Sequence, residues 1–480
     1  MSSPALSLPR SKAPSPQSEP LPFSAKLSFG AGDFGPAITA NLLIFFWLYF
    51  LTAVAGLSPG LAGLVLFADK IGHAISTLVV GVLSDRTQSR WGRRYPWIVL
   101  GSAPFSLSFF LLWLVPFESE WALFWYYLTV IFAFKFAYNA ITLPYVALTP
   151  QISNSYNERT QLNTFRFTFS IGGKIASLIL AQQILRRIHD PVISHLVLGG
   201  VCAIAAMIPI GLFVVGTYRR VISSEQVQAE EEDKDPGDTR PLVQQIAIAL
   251  KCRPFQYVVG IYLCSWSAVQ LISAMTPFFV VSWMGLPESE FPNAALAIQG
   301  TAIACLSLWG RLSKTVGKQG VYFMGASLWL VAQVGLLLLQ PGQVPLMYVL
   351  CMLAGVGVST AYLIPWSMLP DVVDANELET GERHEGTFYS LMIFLQKLGL
   401  AIALWLMGQI IELSGYVEGV SEVQPDSALL AIRLLTGMLP AIALITGMYL
   451  ATSYPITAEL HAEILHKLKA RKASTSPIKG

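Results

Sequence analysis

Charge is what this 480-residue sequence has least of. Only 12% of its residues are Asp, Glu, Lys or Arg, while 54% are hydrophobic; an ordinary soluble domain carries about 25% charged residues. A soluble all-α protein would need a polar stripe on each surface helix, and most apolar blocks here show none. The formal net charge of +2 offers no strongly basic face of the kind a nucleic-acid binder presents, so no nucleic-acid partner is expected. Cysteine is sparse as well. The five residues Cys202, Cys252, Cys264, Cys305 and Cys351 have no CxxC spacing, so neither a metal site nor a disulfide framework is indicated, and no cofactor is expected. They read as small hydrophobes. HExxH, GxSxG and phosphate-loop spacings are missing, as is any sizeable polar domain, which argues against a membrane enzyme or receptor. The first 26 residues, MSSPALSLPRSKAPSPQSEPLPFSAK, lack the apolar core of a secretory signal and read as a disordered cytoplasmic tail.

What is present is a series of long apolar runs. Twelve blocks have roughly the 20 residues that cross a bilayer as a helix: 35–56, 60–83, 97–116, 121–148, 166–185, 195–217, 255–283, 291–310, 320–339, 345–369, 386–413 and 428–452. The basic residues then set the orientation. Even-numbered connections hold fifteen Lys and Arg, among them Arg86, Arg90, Arg93, Arg94, Arg159, Arg311, Lys314, Lys318 and Arg383, against only Arg186 and Arg187 in the odd-numbered ones. Positive residues stay on the cytoplasmic side, so both termini are expected inside and the lipid bilayer is the obligatory partner.

The longest connection, 218–254, carries EQVQAEEEDKDPGDTRP, a charged linker between two sets of six helices. Inside it PLVQQIAIALKCR (241–253) patterns as an amphipathic helix lying on the membrane surface. The expected organisation is a tail (1–26), an N-terminal half (27–217), the cytoplasmic linker, a C-terminal half (255–452) and a cytoplasmic C-terminal tail (453–480). The halves echo each other: GVLSDRTQSRWGRR after block 2 returns, degraded, as GRLSKTVGKQG after block 8, with Gly81 and Gly310 229 residues apart. Duplicated halves describe a secondary transporter with its solute site near the midplane between them.

Block 2 raises the functional question. LFADKIGHAISTLVVG (66–81) sets Asp69, Lys70 and His73 into an apolar span, where an ionised group costs about 2.5–3.5 kcal/mol on insertion scales. Asp69 and His73 are i, i+4 and share a face that Thr77 continues; Lys70 points about 100° away from Asp69. Lys135 and Lys397 sit mid-block, and Lys174 and Arg433 lie where a long side chain can reach the interface. Intramembrane charges mark a solute or ion path. With Lys70 paired to Asp69, this reading leaves Lys135 and Lys397 without an intramembrane partner, which an anionic solute would supply. His73 alone in this helix has an unperturbed pKa near physiological pH, and Asp69 one turn away is placed to hold its proton. At the cytoplasmic mouth Gly81 allows close helix approach and Asp85 can pair with Arg86, Arg90 or Arg93; the same loop also reads as a topology signal only. Asp371 and Asp374 in LPDVVDANELETGERHEG, placed in the connection after block 10, either meet that basic loop as a gate or are simply solvated.

GVLSDRTQSRWGRRYPW (81–97), LPYVALTPQIS (143–153) with NERTQLNTFR (157–166), PWSMLPDVVDANELETGERHEGTFYSL (365–391), KLSFGAGDFG (26–35) and SALLAIRLLTGMLPA (427–441) together resemble the glycoside–pentoside–hexuronide:cation symporters, the sodium:galactoside symporter family of the major facilitator superfamily. The PWSMLPDVVD segment also looks like the related lysolipid symporters. The resemblance implies an all-α integral membrane protein with the major facilitator fold, moving a small solute such as a sugar, glycoside or organic anion with a coupling cation, H⁺ or Na⁺, across the cell membrane. Members are similar in placing acids i, i+4 on the second helix and a polar or acidic group on the fourth to bind the cation. The matching positions here are His73, Thr77 and Thr142, and first-helix acids fall at Ala37 and Ala53. Lys70 stands for the usual Arg, and Lys397 matches a Lys of the eleventh helix. Hard cations want oxygen ligands, so this pattern favours H⁺ over Na⁺. An uncoupled facilitator or exchanger, or a lysolipid-type transporter, is the alternative.

Overall fold

The computed structural model describes residues 21–87, 89–152, 156–228, 250–381, 385–419 and 423–475. Eleven helices there are long and apolar enough to cross a membrane, and a twelfth, Tyr95–Leu111, is apolar but shorter. In chain order they are α1 (Phe23–Val54), α2 (Pro59–Arg86), α3 (Tyr95–Leu111), α4 (Glu120–Ala147), α5 (Tyr156–Arg187), α6 (Pro191–Gln228), α7 (Arg253–Trp283), α8 (Glu288–Ser313), α9 (Thr315–Leu338), α10 (Val344–Thr380), α11 (Glu385–Leu413) and α12 (Asp426–Thr452), followed by α13 (Ala458–Thr475). Each apolar block of the sequence corresponds to one of the first twelve.

The boundaries differ where a helix can continue on polar residues. Helix α1 begins at Phe23, inside the segment read as tail, with a turn at Gly32–Asp33 before Pro36. Helix α6 runs past 217 to Gln228. Helix α10 does not stop near 369 but continues to Thr380, ended by Gly381 at φ +82°. Asp371 and Asp374 are therefore helical rather than in a connection. The expected amphipathic helix lies mostly outside the described residues.

The duplication reaches backbone detail. Helix α1 ends in a wide π-type turn, Phe50–Val54, and α7 ends in another, Phe279–Trp283. The same 229-residue offset relates Gly56 (φ +74°) to Gly285 (φ +66°), both in the left-handed conformation that only glycine adopts without strain. The hydrogen bonds repeat too: Leu57 N donates to Leu51 O at 2.9 Å, and Leu286 N to Val280 O at 3.1 Å.

The halves meet most closely where α2 starts and α11 ends. A Cβ on Gly408 would lie 2.4 Å from Pro59 O and 2.9 Å from Gly63 Cα, so the two helices touch backbone to backbone. Tyr49 of α1 adds a cross-half hydrogen bond to Glu288 Oε1, 2.9 Å. This is the Arg-poor end of the bundle, and it is closed. Gly81 does not serve the close approach expected of it: a Cβ there would meet nothing within 4 Å.

Candidate functional site

One turn and more beyond that closure, α2 turns Asp69 inward. Its side chain is buried and its two oxygens face two ammonium groups, Lys70 Nζ at 2.7 Å and Lys135 Nζ at 3.0 Å. Lys135 is not the unpartnered cation expected from the sequence. It comes from α4, is 7% exposed, and lies over the rings of Phe134 and Tyr138 at 5.3 and 5.8 Å. A carboxylate held by two ammonium groups is well compensated, and removing it strands both.

His73 does not take the role of Asp69's partner. Among the described residues its ring makes no ion pair; it meets Tyr138 edge-on at 5.8 Å. The i, i+4 spacing put the two on one face, but both Asp69 oxygens are already occupied. His73 contributes its carbonyl instead, which accepts from Thr77 Oγ1 at 2.7 Å. The polar patch is completed by Asn139 of α4, 1% exposed, whose amide donates to Ser76 Oγ at 2.6 Å, His73 O at 3.2 Å and Thr77 Oγ1 at 3.2 Å. Thr142 is not part of this patch, its hydroxyl bonding Tyr138 O within α4. From the other half, Lys397 of α11 approaches Thr77 Oγ1 at 3.4 Å. Among the described residues Lys397 has no carboxylate partner.

A small cavity of about 20 Å³ crosses the seam between the halves, lined by Leu43, Trp47, Asp69, Lys70, Gln270 and Leu404. It has room for a water rather than a solute. A second seam contact runs from Gln299 Nε2 of α8 to Asn41 Oδ1 of α1, 2.7 Å, and Asn41 in turn donates to Ser177 Oγ and Lys174 O of α5. Within the second half, α7, α10 and α11 bring together an aromatic wall, Trp266, Tyr362, Trp366 and Tyr389, with neighbouring rings 5.4 to 6.1 Å apart along it through Tyr262. Asn41, Asn139, Gln270 and Gln299 escaped the sequence reading, which weighed charges and two threonines but not amides. Amides in apolar blocks such as FAYNAITL carry the same signal, since an unpaired polar group in the membrane is costly.

The remaining candidates lie elsewhere. Arg433 stacks over Trp283 at 4.3 Å and donates twice to Leu337 O, at 2.7 and 3.3 Å, at the ends of α7 and α9. Asp371 meets Lys318 at 2.6 Å and His461 at 3.5 Å, and Asp374 meets His461 at 3.2 Å. Lys318 belongs to the degraded repeat, at the start of α9, and His461 to α13, so these acids meet basic groups of the second half and its C-terminal helix. Arg86, Arg90 and Arg93 are exposed. The Asp85 side chain lies outside the described residues.

The sequence and the fold have known counterparts. An uncharacterized symporter of Synechocystis sp. is 43% identical, the match covering 95% of this chain and 98% of its own. The sodium-dependent lysophosphatidylcholine symporter 1-A of Danio rerio is 26% identical over 91% of this chain and 86% of its own. Among solved structures the nucleoside transporter NupG superposes with a TM-score of 0.65 at 12% identity, covering 89% of this chain and 98% of that one, a likeness of fold alone. Fold and relatives are those of a secondary transporter, not an enzyme. A family model described as MFS/sugar transport protein matches residues 28–458, and the chain belongs to that family of the major facilitator superfamily.

Proposed function

We propose that the chain is a symporter of the glycoside–pentoside–hexuronide:cation type that carries an anionic solute together with H⁺ across the cell membrane, with both termini cytoplasmic. The observation that carries this reading is the charge count between the halves: Lys70, Lys135 and Lys397 gather around one carboxylate, Asp69. A solute anion completes the set at Lys397, and Arg-rich connections on one side give the orientation. Protons are favoured over Na⁺ because both Asp69 oxygens are already held by ammonium groups, so a sodium ion would have to displace one. Thr77 offers a hydroxyl, and partly exposed His73 is the proton carrier beside it. Asp85, Arg86, Arg90 and Arg93 on one half, with Asp371 and Asp374 on the other, form the cytoplasmic gate.

Purified protein challenged with neutral glycosides, their uronates and lysophospholipids tests the reading by thermal shift, since a ligand of the folded state raises its apparent stability. Anionic ligands alone should stabilise, and Lys397→Gln should abolish that effect; stabilisation by neutral glycosides but not their uronates would overturn it. In vesicles, uptake of the ligand so found should follow a pH gradient at constant Na⁺. A second reading, a lysolipid carrier driven by Na⁺, draws on the named activity of the Danio relative and on the aromatic wall, which suits an amphiphile. A strict Na⁺ requirement at constant pH would select it.

A further inference from the structure

A cavity of about 610 Å³ lies on the flank of the first half, between α3 and α4 and apart from the seam. Its walls are Pro96, Leu100, Gly101 and Pro104 from α3 and Ala133, Phe136, Ala137 and Ala140 from α4. On α4 the alanine stripe is turned about 100–160° from Lys135 and Asn139, so it lies on a different face from the solute site. Helix α3 packs on α4 and α6, and Leu100 and Phe136 at the groove's edge are 69% and 41% exposed, so the groove opens to the bilayer. Small residues make it. A Cβ on Gly101 would touch that of Ala140 at 3.2 Å, and the facing alanines leave the space beside them empty. Along α3 the groove runs about 12 Å at 1.5 Å per residue.

Its polarity is one-sided. The polar side chains of the wall are Thr87 and Trp97, at one end, where Trp97 Nε1 donates to Thr87 Oγ1 at 2.8 Å. Thr87 follows Arg86 in the chain, and the loop it opens carries Arg90 and Arg93; all three arginines are exposed. An apolar slot whose polar end adjoins a basic loop is complementary to a chain that ends in an anion. Guanidinium groups bind phosphate through paired hydrogen bonds, basic pockets between membrane helices take anionic headgroups, and an indole at that depth suits the headgroup boundary.

We propose that the α3–α4 groove is a binding site for an anionic phospholipid of the bilayer, with one acyl chain against Gly101, Ala137 and Ala140 and the phosphate on Arg86 and Arg90. The groove lies apart from the solute site, though Arg86 and Arg90 also belong to the gate proposed above. It ties the α2–α3 loop to the membrane surface and makes lipid charge a ligand of the carrier.

Full-length protein in neutral detergent is titrated with phosphatidylglycerol, with its lysophosphatidylglycerol, with phosphatidylcholine of the same chains, and with glycerophosphoglycerol, which has the headgroup and no chain. Thermal shift and native mass spectrometry read binding. Phosphatidylglycerol should raise the unfolding temperature well above the effect of phosphatidylcholine, and glycerophosphoglycerol should do nothing. Arg86→Gln/Arg90→Gln should remove more than half of that excess from the headgroup side, and Ala137→Phe from the chain side. Should Ala137→Phe fold poorly, a phosphatidylglycerol with a photoreactive acyl chain replaces it: cross-links should fall within 96–104 and 133–140. Equal shifts by the two phospholipids, full retention of the excess in the double Arg variant, cross-links confined elsewhere, or stabilisation by lysophosphatidylglycerol alone would each overturn the proposal.

Discussion

Gly408→Ala should open the Arg-poor end of the carrier. In the native contact the added Cβ would stand 2.4 Å from Pro59 O, 2.9 Å from Gly63 Cα and 3.1 Å from Gly63 N. All three are backbone atoms, so no rotamer change relieves the clash. Reaching ordinary contact at about 3.4 Å requires α2 and α11 to part by roughly 1 Å, and overpacking of that kind costs about 1–3 kcal/mol. The cost falls only on the state in which the two helices touch. At about 1.4 kcal/mol per tenfold, the equilibrium moves by about 5- to 150-fold toward states parted at this end. Spin labels at Glu118→Cys and Glu418→Cys, both exposed and one on each half, report the separation in a background whose five native cysteines are replaced. Double electron–electron resonance should show a longer-distance population in Gly408→Ala and a larger one in Gly408→Val. Gly81→Ala is the control: it lies on α2 with open space around its Cβ position, and the distances should not move. An unchanged distribution in a folded, monodisperse Gly408→Ala protein would refute the reasoning.

Other consequences are as direct. Asp69→Asn should lower stability by about 3–5 kcal/mol, since Lys70 and Lys135 are left without their counter-charge; adding Lys135→Met should recover part of the melting temperature but not anion-dependent stabilisation, and a melting curve unchanged in Asp69→Asn would count against the triad. Arg433→Gln loses charged hydrogen bonds to Leu337 O and the stack on Trp283, about 2 kcal/mol together, and Arg433→Lys should restore little of it in a denaturation series. Burial pushes the Cys252 thiol up, with Glu379 adding to the effect. Its thiolate is therefore scarcer at neutral pH than that of an ordinary thiol, and maleimide labelling followed by peptide mass spectrometry should be slow near pH 7 and still rising where glutathione has levelled off.

The spans were legible because length and apolarity alone decide what crosses a bilayer. The pairing inside the site was not. A sequence shows partners within a helix, so Asp69 and His73 stood out at i, i+4, while Lys135 comes from α4 and reaches Asp69 only after α2 and α4 pack. Asp371 and Asp374 were misplaced for a related reason: a charge run after an apolar block looks like a connection, yet α10 carries it on as helix, held by Lys318 and His461. Gly81 was singled out by its motif, whereas Gly63 and Gly408, which make the close contact, sit in unremarkable apolar surroundings. Only the three-dimensional approach of α2 to α11 distinguishes them.

The duplication itself separates what the fold requires from what the carrier adds. At the 229-residue offset, Asn41 of α1 corresponds to Gln270 of α7, and Lys70 of α2 to Gln299 of α8. The structure joins these positions crosswise at the seam: Asn41 accepts from Gln299 at 2.7 Å, while Gln270 and Lys70 line one cavity. Each seam thus sets an amide against the second helix of the other half, and on the C-terminal side a neutral amide is enough to fill that position. Asp69 and His73 correspond to Ile298 and Ala302, so the same place in the duplicated helix is built without any ionisable group. Helix packing therefore does not demand Asp69, Lys70 or His73, since α8 packs without their equivalents. Asp69, Lys70 and His73 are additions of the first half, to which the second half brings Lys397 at 3.4 Å from Thr77 Oγ1, and the repeat without them is the internal control.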